Sequence, residues 1–159
     1  MKAYQTRVGK GPLPTELTDS IAETIRERGN EYGTTTGRPR RIGWLDLVAA
    51  RYAVMINGAT GLSVMMMDVL SGLDELNVCT AYEIDGERTD RFLPDSATLD
   101  RVTPIYENCE PWSGDVTQVR EIADLPGSAR AFLDRIETLI GVPIEIVSVG
   151  PDRTQTIHV

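Results

Sequence analysis

The sequence predicts an α/β fold, and three observations carry that expectation. Residues 44–57 repeat apolar side chains at i, i+3, i+4 spacing (Leu45, Val48, Ala49, Tyr52, Ile56) and end at Asn57-Gly58, the pattern of a helix with its stop. Residues 62–67 and 76–83 are short, nearly continuous apolar runs, which read as strands buried on both faces. A second helix over 126–140, stopped by Gly141, leads into a further strand over 142–149 that ends at Gly150-Pro151-Asp152.

The other elements follow in order. Residues 2–14 are rich in turn formers and without period, and read as an irregular segment lying over something else. Residues 15–29 read as a helix, with Thr15 or Asp19 as its N-cap and Gly29 as its stop. Residues 71–75 make a turn between the first two strands. Residues 85–114 are polar, with turn signals at Asp85-Gly86, Pro94-Asp95 and Ser113-Gly114, and predict a surface excursion with short strands.

The length of 159 residues suits one ordinary domain with a real core. A net charge of −8 excludes general nucleic-acid affinity, because an acidic surface cannot neutralise a run of phosphates. No apolar run reaches the ~18 residues that a membrane span needs. Residues 1–11 lack the apolar core of a signal peptide, so the expected compartment is the cytoplasm. The two cysteines, Cys79 and Cys109, fall in no metal-ligand pattern, so no metal site is expected in the chain, and Cys79 reads as a buried free thiol. Met65-Met66-Met67 reads as core filler. His158, the one histidine, reads as solvated, with nothing nearby in sequence to orient it as a base.

Against that acidic background, one loop concentrates charge of the opposite sign. Gly33-Thr34-Thr35-Thr36-Gly37-Arg38-Pro39-Arg40-Arg41 places three hydroxyls between two glycines and gathers three of the sixteen basic residues. Glycine lets backbone approach a ligand, hydroxyls donate and accept, and guanidinium forks match carboxylates and phosphates. The loop reads as an anion holder; the alternative is an arginine-rich turn paired with the chain's own carboxylates.

Ligands of open α/β sheets sit beyond the carboxyl ends of strands. Met66-Met67-Asp68 and Ser148-Val149-Gly150 occupy such places, and with the threonine-arginine loop they could surround one nucleotide. A carboxylate there can accept from the N1–H and N2–H of guanine, a donor pair that adenine lacks. Asp68 is therefore either a guanine reader or a brace of the turn into Val69-Leu70.

Read together, these segments resemble the adenylosuccinate synthetase family, specifically its C-terminal portion. The strings that carry the likeness are KAYQTRVGKGPLPTEL, RGNEYGTTTGRPRRIGWLD, INGATGL, DVLSGLDELNVCTAYE and GVPIEIVSVGPDRT, which cover nearly the whole of residues 1–159. The resemblance implies the C-terminal part of a mixed, mostly parallel sheet flanked by helices, in a P-loop-NTPase-like fold whose N-terminal half is absent. It implies a GTP-dependent ligase that joins L-aspartate to IMP in purine nucleotide biosynthesis. GTP phosphorylates the IMP O6, and the aspartate amine then displaces that phosphate. Thr34, Thr35, Thr36, Gly37, Arg38, Pro39 and Arg40 would hold aspartate, with Arg38 also reaching IMP and Arg40 the GTP phosphates. Val8 would pack near the IMP ribose. Met66, Met67, Asp68, Ser148, Val149 and Gly150 would line the guanine site. The family also implies a homodimer and a magnesium ion bound by the N-terminal half.

Two departures stand out. The family usually places a lysine two positions before the guanine-reading aspartate, and here that position is Met66, which can cover a purine face but carries no charge. The implied consequence is weaker guanine affinity or relaxed purine choice. The family's N-terminal half, with its glycine-rich phosphate loop, catalytic aspartate and histidine, is also missing. Val8-Gly9-Lys10-Gly11 lacks the strand-loop-helix context of a phosphate loop. No catalytic residue is expected in this chain, and activity is expected to need the other half. A stand-alone purine-nucleotide-binding module and a nonfunctional remnant remain the other readings.

Overall fold

The computed structural model describes residues Met1–Val159. In chain order the elements are β1 (Gln5–Arg7), β2 (Glu16–Leu17), α1 (Ser20–Arg28), β3 (Arg41–Gly43), β4 (Leu45–Asp46), α2 (Leu47–Asn57), β5 (Leu62–Val64), β6 (Asn77–Ile84), β7 (Glu87–Thr89), α3 (Ser96–Leu99), β8 (Thr103–Asn108), α4 (Gly127–Ile140), β9 (Ile144–Ser148) and β10 (Thr156–His158). Single 3-10 turns lie at Asp68–Leu70 and Ile122–Asp124. The chain divides into two compact units.

The first unit comprises Met1–Ala3, Ala53–Leu76 and Asn108–Val159. Its sheet runs β10-β9-β5, with β5 parallel and β10 antiparallel to the central β9. Helix α4 buries Ala129, Phe132, Leu133, Ile136 and Ile140, one helical stripe, and Trp112 packs its ring 5.4 Å from that of Phe132. Gly141 closes α4 in the left-handed region at φ +86°, a backbone that favours glycine. The Glu137 carboxylate then accepts from the Ile144 N–H at 2.8 Å and starts β9.

The second unit comprises Tyr4–Tyr52 and Asn77–Glu107. It holds an antiparallel sheet β1-β3-β2 and a second sheet β4-β6-β7, with β8 also on β6. Val48, Cys79 and Tyr82 are buried against Phe92, Leu99 and Val102. Burial pushes the Cys79 thiol up to about 12, so it stays a neutral core group, as expected. The Asp46 carboxylate accepts from the Ala49 N–H at 3.0 Å and from the Tyr82 hydroxyl. It starts α2, and burial raises its pKa.

Several expectations are corrected. Antiparallel pairings outnumber parallel ones, so the sheets are mixed but not mostly parallel. The half-polar strands β1, β2, β7 and β10 lack the apolar runs that mark buried strands, and the pairings of β1 and β2 with β3 are long-range. The opening segment is accordingly not wholly irregular, since β1 pairs with β3. Helix α1 begins at Ser20, capped by the Asp19 carboxylate on the Ile21 and Ala22 N–H groups, because Glu16 and Leu17 are drawn into the sheet. Helix α2 begins at Leu47, because Leu45 and Asp46 pair with β6. Strand β5 stops at Val64, and of the three methionines only Met67 is core; Met65 is exposed. His158 is exposed as expected, although it lies in a strand.

Candidate functional site

The threonine-arginine loop is a closed excursion on a held base. Tyr32 and Pro39 form an antiparallel bridge, the Arg40 N–H donates to the Glu31 carbonyl at 2.9 Å, and the Gly33 N–H donates to the Arg38 carbonyl at 2.8 Å. The Gly37 N–H reaches back to the Gly33 carbonyl at 2.7 Å. Both glycines are needed. Gly37 sits at φ +63°, and a Cβ on Gly33 would lie 2.9 Å from the Thr36 hydroxyl. Thr34, Thr35, Thr36, Gly37, Arg38 and Pro39 are all exposed, so the hydroxyls project from a tip whose stem is fixed.

The three arginines behave differently. Arg41 is fully engaged within the chain: Nε and Nη2 grip both oxygens of Glu16, the first at 2.7 Å, and Nη1 donates to the Gly11 carbonyl at 2.6 Å and the Gly9 carbonyl at 3.2 Å. Those hydrogen bonds from Arg41 hold the Glu16 carboxyl below the usual range. They also pin the turn that carries Val8, itself 72% exposed. Arg40 donates from Nη1 to Glu31 Oε2 at 2.7 Å, and its carbonyl accepts from Arg26 Nε at 3.1 Å. Arg38 stands exposed and shares in neither ion pair. The internally paired turn weighed as the alternative is thus realised for Arg40 and Arg41, but not for Arg38. Val8–Gly11 leads from β1 towards β2 and not into a helix, so it has no phosphate-loop geometry.

In the first unit, the neighbouring parallel strands β5 and β9 end on the same side of the sheet, which brings Met66-Met67-Asp68 beside Ser148-Val149-Gly150. The Met67 N–H donates to the Ser148 carbonyl at 3.1 Å and locks the two segments together. Met66 lies at φ +67°, a strained left-handed conformation for a non-glycine residue. Asp68, half-buried, opens the 3-10 turn. Burial raises its carboxyl pKa, hydrogen bonds from the Asp68 and Val69 N–H groups pull the other way, and Asp115 adds to the rise.

The Ser148 hydroxyl, buried, donates to the Gly150 carbonyl at 2.9 Å. A Cβ on Gly150 would come within 2.2 Å of Gln155 Oε1, so glycine there makes room for Gln155. The Gln155 carbonyl accepts from the Val149 N–H at 2.9 Å, and its Nε2 donates to the Thr117 carbonyl.

Residue-by-residue reading missed four participants: Gln155 and Asp115 at the strand ends, and Tyr4 and Glu31 at the loop base. Each acts across a long sequence separation and carries no local pattern. No group of three or more His, Cys, Asp or Glu side chains comes together in a way that could hold a metal ion.

These features are those of an α/β protein with a hydroxyl-rich, arginine-bearing loop and a pair of parallel strands whose ends lie side by side. The family model of adenylosuccinate synthetase matches residues 1–157, and the chain belongs to that family. Adenylosuccinate synthetase from Fusobacterium nucleatum is 52% identical over 159 residues, all of this chain and 37% of that protein. The enzyme of that name from Lactobacillus acidophilus is 53% identical over 156 residues, 98% of this chain and 36% of the relative. Among solved structures, fully ligated adenylosuccinate synthetase from Plasmodium falciparum superposes with a TM-score of 0.96 at 36% identity, covering 99% of this chain and 38% of that one. The chain thus spans little more than a third of the length of the relatives it matches.

Proposed function

We propose that this chain is the C-terminal portion of an adenylosuccinate synthetase, a GTP-dependent ligase that joins L-aspartate to IMP and serves purine nucleotide biosynthesis. The observation that carries the reading is the Met67–Ser148 hydrogen bond between adjacent parallel strand ends, which sets Asp68 beside Ser148–Gly150. In this account the Asp68 carboxylate accepts the two guanine edge donors, while Met66, Met67 and the Ser148–Gly150 backbone line the base. The exposed Thr34–Thr36 hydroxyls, with Gly37 and Pro39 shaping the tip, hold the aspartate carboxylates. Arg38 bridges aspartate and IMP, Val8 packs near the IMP ribose, and Arg40 faces the GTP phosphates as fixed positive charge.

The groups that move protons and hold magnesium belong, on this reading, to the part of the enzyme outside residues 1–159, and the complete enzyme is a homodimer. Magnesium would offset charge on the transferring phosphoryl group. The 159-residue chain alone is then a binder without turnover, in the cytoplasm.

Calorimetric titration of the chain with GTP, ATP and ITP tests the nucleotide reading. GTP should bind with a preference over ATP that disappears in Asp68→Asn. Equal affinity for all three would place the effect at Met66, where the methionine has relaxed purine choice. Absence of binding by any purine nucleotide would remove the reading of the strand ends as a base site.

A further inference from the structure

Glu31 is a buried carboxylate of the second unit, 1% exposed, and its two oxygens serve different donors. Oε1 accepts from the Tyr4 hydroxyl at 2.6 Å, and Oε2 accepts from Arg40 Nη1 at 2.7 Å. We propose that Glu31, steadied by Tyr4, is a positioning residue that sets the Arg40 guanidinium for an anionic phosphate ligand. This rests on the reading of Arg40 as a phosphate-facing group.

Three observations separate this from an ordinary structural ion pair. First, the neighbouring Arg41–Glu16 pair is bidentate and uses Nε and Nη2 together, which consumes the fork. Glu31 divides its oxygens and touches Arg40 through one nitrogen only. Arg40 Nε is left buried with no hydrogen-bond partner, so the guanidinium is held through Nη1 alone.

Second, residue 40 is fixed through its backbone as well, by the Glu31 carbonyl at its N–H and by Arg26 Nε at its carbonyl. Side-chain and main-chain anchors together leave the guanidinium little freedom to lose on binding. Third, Gly29 lies at φ −81°, a backbone that any residue adopts, so conformation does not call for glycine there. Room does: a Cβ on Gly29 would lie 2.3 Å from the Tyr4 hydroxyl and 3.2 Å from Glu31 Cγ. The sequence has kept open the space in which the tyrosine and the buried carboxylate meet.

The test compares GTP with guanosine on the 159-residue chain, by calorimetry, in the native protein and in Glu31→Gln, Tyr4→Phe and Arg40→Ala. The signal of the Arg40 Nε–H in 15N-detected spectra reports how rigid the guanidinium is. Glu31→Gln should loosen that signal and lower GTP affinity about tenfold, leaving guanosine affinity unchanged. Tyr4→Phe, which keeps the carboxylate, should give the same pattern more weakly. In Arg40→Ala, adding Glu31→Gln should cost no further GTP affinity.

GTP affinity that survives Glu31→Gln and Tyr4→Phe in a protein that prefers GTP to guanosine overturns the positioning role and leaves Arg40's own role standing. A parallel loss of guanosine affinity shows that Glu31 only maintains the fold, and overturns it as well. A native chain that binds guanosine as tightly as GTP overturns both.

Discussion

The threonine-arginine loop and the strand-end segments present contrasting designs. In the loop, the base is clamped and the tip is free: Glu31 and Glu16 hold Arg40 and Arg41, while Thr34–Thr36 and Arg38 stand exposed. At the strand ends, polar groups already serve their own backbone. The Ser148 hydroxyl is committed to the Gly150 carbonyl, Gln155 fills the space at Gly150, and Asp68 takes N–H groups of its own turn. The difference teaches that charge near a site is not the same as charge available to a ligand. One of three arginines is open, one is held through a single nitrogen, and one is bound through its whole fork.

The largest effect expected from breaking this contrast is on stability at the clamped base. Glu31→Ala strips the buried partner of Tyr4 and Arg40, and should destabilise the chain by about 2–4 kcal/mol, a value tempered by the partial exposure of Arg40. Glu16→Ala breaks a pair about one-third exposed on each side and should cost no more than about 1 kcal/mol. Denaturant unfolding of both variants measures the ratio, and equal losses would erase the distinction between the two arginines. At the strand ends, Asp68→Asn should lower guanosine affinity by about 1–3 kcal/mol, read by calorimetry, because one guanine donor is left facing an amide N–H.

A smaller effect is expected at the free tip. Alanine at Thr34, Thr35 or Thr36 should change stability by less than about 0.5 kcal/mol, because these side chains are exposed. If a single alanine there melts the protein early in thermal unfolding, the tip is structural after all.

The smallest effect is in pH dependence, where the two regions have opposite signs. The Glu16 carboxyl is held low in the folded state, so its contribution is present at neutral pH and lost as pH falls through its depressed range. The Asp68 carboxyl is raised by burial, so its contribution is present in acid and lost as pH rises through its elevated range. Stability measured from pH 3 to 7 should therefore fall less steeply in acid for Glu16→Gln, and lose less on the rise towards neutrality for Asp68→Asn.

What was legible in the sequence tracks how local the signal is. The loop was readable because its hydroxyls, glycines and arginines are contiguous, and α4 with Gly141 because its stripe and cap are one run. The strand-end segments were readable as strand ends, but β5 ends at Val64, before its apolar run does and ahead of the left-handed Met66. Strand β10 was not readable because its three residues carry no apolar run, and β1 and β2 were not because their register is set by β3, far along the chain. Glu31 was invisible for the same reason: nothing around it announces a buried carboxylate bound to Tyr4, 27 positions away. The family likeness supplied roles for the loop residues that residue chemistry alone left as generic anion binding.

The central claim is that residues 1–159 bind ligands but are not a whole catalyst. Its most direct test is adenylosuccinate formation from IMP, L-aspartate and GTP with magnesium. The chain should give no product alone, and give product when mixed with a polypeptide supplying the remaining length of a relative. Turnover by the pure 159-residue chain would contradict the account.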